Sequence, residues 1–354
     1  MRIVITGATG NVGTALLRRL ADRREHELVG LARRVPDAQP SARVAWVSAD
    51  LTDPACQTLL EGTFGAADAV VHLAWGFQPS HDVDYLAELG VGGTRRVLDA
   101  VAGAGVPHVV HMSSIGAYSP KRDDEPVDES YPTGGIPGSP YSQHKVQAER
   151  LLDTFAEEHP DIALTRMRPG IIGQRSAGSA LLRYGLPGLL PSRILELVPV
   201  LPLDRSLRIP MVHAEDVAAA VDLALTTGVG GAFNLASGPP ITVDDIAGAL
   251  GARHLQVPQR LVRAAVAGSW HAHVQQVDPG WIDLAYNVPL LDPSRALREL
   301  GWSPVHDSRA VLTEVVDAMA GADHADTAVL RPRTVLSSLR SALRDKPVAY
   351  RRRP

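Results

Sequence analysis

Residues 6–13, Thr6-Gly7-Ala8-Thr9-Gly10-Asn11-Val12-Gly13, constrain this chain more than any other stretch. They follow Ile3-Val4-Ile5, a β-branched apolar run that reads as a buried strand. They precede Ala15, Leu16, Leu17 and Leu20, spaced for a helix packed on a sheet. Glycine at 7, 10 and 13, at a strand-to-helix turn, lets the backbone approach a pyrophosphate. The helix start then offers free N–H groups and a positive dipole to that anion. A merely structural tight turn uses glycine too, but the strand before and the helix after point to a dinucleotide site.

Strand-like runs at 3–6, 27–31, 44–47, 69–73, 108–112 and 162–167 alternate with helical patterns, among them 84–102 and 141–158. Such alternation predicts a doubly wound, Rossmann-type α/β sheet with ligands outside the C-terminal strand ends. Beyond Gly170 the alternation breaks down amid frequent Pro and Gly. A strand end running into a helix is expected over 211–225 and a short strand over 233–235. Thr242 reads as an N-cap with Asp245 at the capping-box position. We expect a dinucleotide-binding domain over 1–169, its sheet completed from 205–236, then a smaller substrate lobe over 170–320 and a basic tail over 321–354.

Composition narrows the class. The chain has 354 residues, 45% hydrophobic and 21% charged, the profile of an ordinary globular protein. A net charge of −4 offers no global attraction to nucleic acid. The single cysteine, Cys56, excludes an internal disulfide and a cysteine-based zinc site. With a strand starting at residue 2 or 3, no signal peptide is expected, and the location expected is the cytoplasm. The segment 186–202 is apolar but broken by Pro187, Pro191 and Pro199 and carries Arg193 and Glu196. It is therefore no transmembrane helix, but core, pocket wall or a lid over an apolar substrate.

Candidate chemistry falls at the strand ends. A carboxylate after the third strand suits the adenine amino group, with helix capping as the alternative. Asp53-Pro54 suits the cap better, which leaves Asp50, with Leu51, for adenine. Leu73-Ala74 ends the fourth strand, and small Ala74 lets the backbone pass close to a cofactor ribose. His72 reads as a buried core histidine. Ser113-Ser114 ends the fifth strand. Tyr141 and Lys145, four apart, share one face of the next long helix. A nearby ammonium would lower the phenol pKa toward the working range, and Lys145 would also reach the nicotinamide ribose. The Ser114 hydroxyl would polarise a carbonyl or alcohol oxygen. In isolation, such a Tyr–Lys spacing is usually only an exposed helical pair; behind a Ser-Ser strand end it is a strong signal. Two histidines in Trp270-His271-Ala272-His273 lack a carboxylate partner at fitting spacing, so no metal is expected.

Together these motifs resemble the extended short-chain dehydrogenase/reductases, the NAD-dependent epimerase/dehydratase group. The resemblance covers roughly residues 1–320. Its carriers are the glycine motif, Asp50-Leu51, His72-Leu73-Ala74, Ser113-Ser114 with Tyr118, Tyr141 with Lys145, and Arg168-Pro169-Gly170. Val212-His213-Ala214-Glu215-Asp216-Val217-Ala218, Asp292-Pro293-Ser294-Arg295-Ala296 and Leu300-Gly301-Trp302-Ser303-Pro304 complete them. The resemblance implies catalysis by Ser114, Tyr141 and Lys145. It also implies that Gly7, Thr9 to Gly13 and, on the nicotinamide side, Pro169, Ile171 and Ile172 hold the cofactor. It further implies a homodimer built on the helices over 84–102 and 141–158, with Leu86, Leu89, Val97 and Leu98 as apolar candidates. Packing within one chain would explain those four as well.

Three departures bear on function. Gly90 stands where the family usually has an Asn, so a proton relay through that side chain is absent. Arg208 lies five residues before His213, one more than a phosphate-holding Arg of nucleotide-sugar enzymes. Ile115-Gly116 replaces the acidic pair of sugar dehydratases. Strand two ends Leu31-Ala32-Arg33-Arg34, without the carboxylate that would bind both ribose hydroxyls of NAD. Arg33 and Arg34 suit a 2′-phosphate, unless they are ordinary solvent-facing charges, so NADP is favoured over NAD. The expected reaction is hydride transfer at a secondary alcohol or carbonyl of a small molecule, foremost as a reductase. A sugar epimerase and a non-catalytic NAD(P) sensor are the alternatives. From 327 to 354, eight Lys and Arg face one acid, Asp345. This reads as a docked helix with a frayed basic end, or as a contact for an anionic membrane surface.

Overall fold

The computed structural model describes residues 1–36, 43–76, 79–185, 192 and 197–332. Most of the 186–202 segment and the basic tail from 333 onward lie outside the described residues.

Burial on both faces of the first strand marks the centre of the molecule. Ile3 and Ile5 point into one apolar cluster with the helices Asn11–Ala21 and Ala214–Thr227. Val4 points into the other, with Gln57–Phe64, Gly93–Ala104 and Pro140–Glu158. A strand buried on both faces this way must lie inside a sheet covered by helices. The sheet has seven strands, in the order Gly231–Leu235, Ala163–Pro169, His108–Met112, Ala69–His72, Arg2–Thr6, Glu27–Ala32 and Val44–Ser48. Every pairing in it is parallel. The strand order reverses between Arg2–Thr6 and Ala69–His72, and a crevice opens at such a switch point. The Rossmann-type reading of the sequence therefore holds.

The expected helix over 84–102 is one continuous rod in three pieces, Val83–Ala87, a π-turn at Glu88–Gly92, and Gly93–Ala104. Val97 and Leu98 are buried in the chain's own core. The strand expected at 211–213 is longer, Arg208–His213, and joins a separate three-stranded sheet with Ile171–Gly173 and Ser237–Thr242. Helix Ser308–Gly321 packs against that sheet through Val311, Leu312 and Val315. Thr242 and Asp245 form the reciprocal cap at the start of Val243–Ala249. Among the described residues, no helix is long and apolar enough to cross a membrane.

Candidate active site

A cavity of about 540 Å³ lies at the switch point. Every residue singled out for cofactor or catalysis lines it: Gly7, Thr9, Gly10, Asn11, Val12, Gly13, Arg33, Arg34, Asp50, Leu51, Leu73, Ala74, Ser114, Tyr141, Lys145, Pro169, Ile171 and Ile172.

Its floor is the glycine turn. Gly7 has φ +69°, and a Cβ there would stand 2.6 Å from the Ala74 amide nitrogen. A Cβ on Gly13 would stand 2.5 Å from the Gly7 carbonyl oxygen. Side chains at either position would fill the cradle or push the backbone out of it. Gly10 begins the helix Asn11–Ala21 with no side-chain cap, so its first amides face the cavity side uncapped, as a pyrophosphate requires. Asn11 donates to the Ile172 carbonyl at 3.1 Å, and Gln174 donates to the Asn11 carbonyl at 2.7 Å. These bonds clamp the cradle to the strand on the nicotinamide side. The residues thus fit a dinucleotide.

At the far end of the cradle, Asp50 accepts from the Thr52 amide at 3.0 Å and the Thr52 hydroxyl at 2.7 Å. Asp53 caps the next turn by accepting from the Ala55 amide. Arg33 donates to the Tyr85 hydroxyl at 2.7 Å. Burial, then the charges of Arg331 and Arg33, push the Arg34 guanidinium pKa down. Guanidiniums gather here around the place where an NAD site has its acid.

The chemical end lies below strand His108–Met112. Ser114 Oγ accepts from the Gly116 amide at 3.0 Å and pairs with the Tyr141 hydroxyl. Burial pushes the Tyr141 phenol up to about 12, against the pull of the Ser114 hydrogen bond. The expected lowering of that phenol by Lys145 is not found. Lys145 Nζ instead donates to the Met112 carbonyl at 2.9 Å and lies 3.5 Å from the centre of the Trp75 ring. Burial takes Lys145 down to about 7, with Glu149 opposing. Burial decides at both groups: it disfavours the charged form of each, taking the ammonium down and the phenol up. His72 is a core residue as expected, between Thr6 and Thr94, and burial lowers it to about 3.

Beneath the strand end sits a buried polar layer. Ser113 donates to Glu149 at 2.5 Å, and Arg168 holds both Glu149 oxygens at 2.9 and 3.1 Å. Arg168 also reaches the Tyr118 hydroxyl, which donates to Asn234. Tyr118 and Arg168 therefore serve this layer and not the cavity.

Trp75 covers Lys145. Sequence reasoning missed two parts of the wall. Trp281, from helix Pro279–Asn287, stands 5.1 Å from the Tyr141 ring. Ala328 to Leu330 close over the cradle, pinned by the Thr327 hydroxyl donating to the Thr9 carbonyl at 2.9 Å. Contacts between elements this far apart in sequence leave no local signal. Neither Arg205 nor Arg208 lines the cavity. His273, of the pair from which no metal is expected, stacks on His81, which stacks on Trp270.

The chain is similar to several known proteins. A Synechocystis protein provisionally named dihydroflavonol 4-reductase is 31% identical over 189 residues, 51% of this chain and 53% of its own length. A Mycobacterium tuberculosis 3 beta-hydroxysteroid dehydrogenase/Delta 5-->4-isomerase is 27% identical over 341 residues, covering 88% of this chain and 89% of that one. The crystal structure of a Thermotoga maritima UDP-glucose 4-epimerase with UDP-glucose superposes with a TM-score of 0.68. It covers 91% of this chain and 99% of its own at 19% identity. The profile of the NAD dependent epimerase/dehydratase family matches residues 3–236. The chain therefore belongs to the NAD-dependent epimerase/dehydratase family, within the extended short-chain dehydrogenase/reductase enzymes.

Proposed function

We propose that this protein is an NADP-dependent reductase that interconverts a small-molecule ketone and its secondary alcohol. The observation that carries the reading is the Ser114–Tyr141 pair beside Lys145, opening into the same cavity as the glycine cradle. When bound there, the nicotinamide supplies the hydride for the carbonyl carbon. Tyr141 delivers the proton to the carbonyl oxygen, and Ser114 Oγ hydrogen-bonds that oxygen. A phenol held near 12 is protonated at neutral pH, which suits a proton donor for reduction. Lys145 would orient the ribose with the donors left beside its bond to the Met112 carbonyl.

Arg33 and Arg34, with Arg331 close by, support NADP over NAD, because a 2′-phosphate would relieve their mutual repulsion. Arg208 supports the reductase over a nucleotide-sugar epimerase, since its guanidinium turns back to the Arg205 and Leu207 carbonyls at 2.8 Å. Dehydration chemistry is disfavoured at Gly116, where a Cβ would stand 2.9 Å from the Tyr141 ring. The proposal includes a homodimer on the resemblance alone, because Val97 and Leu98 are spent on the core. It places the protein in the cytoplasm on its cysteine-poor composition.

The test is Tyr141→Phe, assayed by NADPH oxidation with a carbonyl panel and by NADP binding. We expect kcat to fall by about two to four orders of magnitude, the scale of general acid catalysis, with cofactor affinity kept. Activity above a tenth of the parent's would overturn the assignment. A parent that binds NADP but turns over no carbonyl would favour the sensor.

A further inference from the structure

Beyond Tyr141 the cavity changes character. Trp75 and Trp281 stand beside the Tyr141 ring, and Ile209, Met211, Leu284 and Val288 are among the other apolar lining residues. Charged side chains among the described lining residues are Arg33, Arg34, Asp50 and Lys145. The first three lie where the second and third strands end, at the adenosine end of the cradle. Lys145 is committed to Met112 and Trp75.

The two indoles frame the reacting position. Trp281 lies at 31° to the Tyr141 ring, and Trp75 stands edge-on to it at 83° and 6.4 Å. Trp281 is held in place through Asp278, whose carboxylate caps Pro279–Asn287 and hydrogen-bonds Trp281. A fixed aromatic face beside the proton donor is a stacking platform. Among the described residues of this wall, an anionic substrate would lose its hydration and meet as cation only Lys145, already engaged by Met112 and Trp75, which disfavours burial of its charge.

We infer that the substrate is an uncharged, flat, apolar ring ketone or its secondary alcohol, packed against Trp281 and Trp75, with no phosphate or nucleotide handle. This deepens the proposed reductase and rests on it for the direction of chemistry, but not for binding. Recognition is then by aromatic contact and burial, with the carbonyl oxygen making the polar contacts at Tyr141 and Ser114.

The experiment uses the full chain with NADP and three uncharged bicyclic ketones, 2-tetralone, 1-indanone and 2-decalone. UDP-glucose and glyceraldehyde are the polar probes. Binding is read by titration calorimetry and tryptophan quenching, turnover by NADPH oxidation. At least one bicyclic ketone should bind at least tenfold more tightly than UDP-glucose. Trp281→Ala should weaken that ketone at least tenfold and Trp281→Phe by less, both with parent-like thermal melts. If Trp281→Ala does not fold, Trp281→Leu decides: unchanged ketone affinity in that variant refutes the platform. UDP-glucose binding more tightly, or failure of all three ketones to bind, overturns the inference. NADPH oxidation with glyceraldehyde alone would overturn it and leave the reductase standing. Ketone binding without any NADPH oxidation would support it and remove the reductase.

Discussion

Gly90 is the position at which a single methyl group should be felt most. It sits in the π-turn Glu88–Gly92, and a Cβ there would stand 2.9 Å from Trp75 Cη2 and 3.0 Å from Cζ2. The Trp75 indole thus fills the space left by the missing Asn and rests on Lys145 Nζ at 3.5 Å. In Gly90→Ala the ring must move by roughly half an ångström or more to regain ordinary contact. Overpacking of this kind costs about 1–3 kcal/mol of stability. The cation–π contact, worth up to about 2 kcal/mol when desolvated, weakens with it. Losing most of that contact lowers the Lys145 pKa by about one pH unit, at 1.36 kcal/mol per unit. Less support for the charged form means deprotonation at lower pH. If activity needs the ammonium, the high-pH limb of kcat/KM moves down from near 7. The assay is a kcat/KM profile over pH 5–9 with a denaturant melt of the same variant. Trp75→Phe in the Gly90→Ala background should recover the packing loss, because a phenyl ring stops short of residue 90. An unchanged melt together with an unchanged or raised high-pH limb in Gly90→Ala would refute this account of Trp75 and Lys145.

Three further outcomes follow from the geometry. Arg33→Ala should lose at least tenfold in NADP affinity and little in NAD affinity, measured by calorimetry; tighter NAD binding by the parent would refute the 2′-phosphate reading. Thr327→Val removes the bond to the Thr9 carbonyl, which should cost about 1 kcal/mol and roughly fivefold in cofactor affinity. Equal affinities would separate segment 327–330 from the cofactor. For Glu149, burial alone would raise the pKa, but the hydrogen bonds and charge of Arg168, with Ser113 and Arg166, hold it at about 2. A carboxylate depressed in the folded state stabilises above its unfolded pKa, and that stability is lost as pH falls from about 4.5 to 2. Glu149→Gln should melt lower at pH 7 and lose the acid dependence in that window; a melting curve that tracks the parent's from pH 5 to 2 would count against the layer.

The sequence by itself determined the sheet and the cradle, and it named the residues proposed for the chemistry. Strand and helix periods are local, and glycines at 7, 10 and 13 are demanded by backbone approach, so each reads directly from neighbours in the chain. The spacing of Tyr141 and Lys145 on one helical turn is local in the same way. What Lys145 does with its charge was decided by the tertiary structure. Trp75 and the Met112 carbonyl come from other elements, and burial among them, not the four-residue spacing, sets both its pKa and that of Tyr141. The apolar substrate wall has the same origin. Ile209, Met211 and Trp281 belong to segments scattered through the second half of the chain. The closure of residues 327–330 over Thr9 joins positions 318 apart. Local patterning records which face of an element is buried, but only packing determines which distant side chain meets it there.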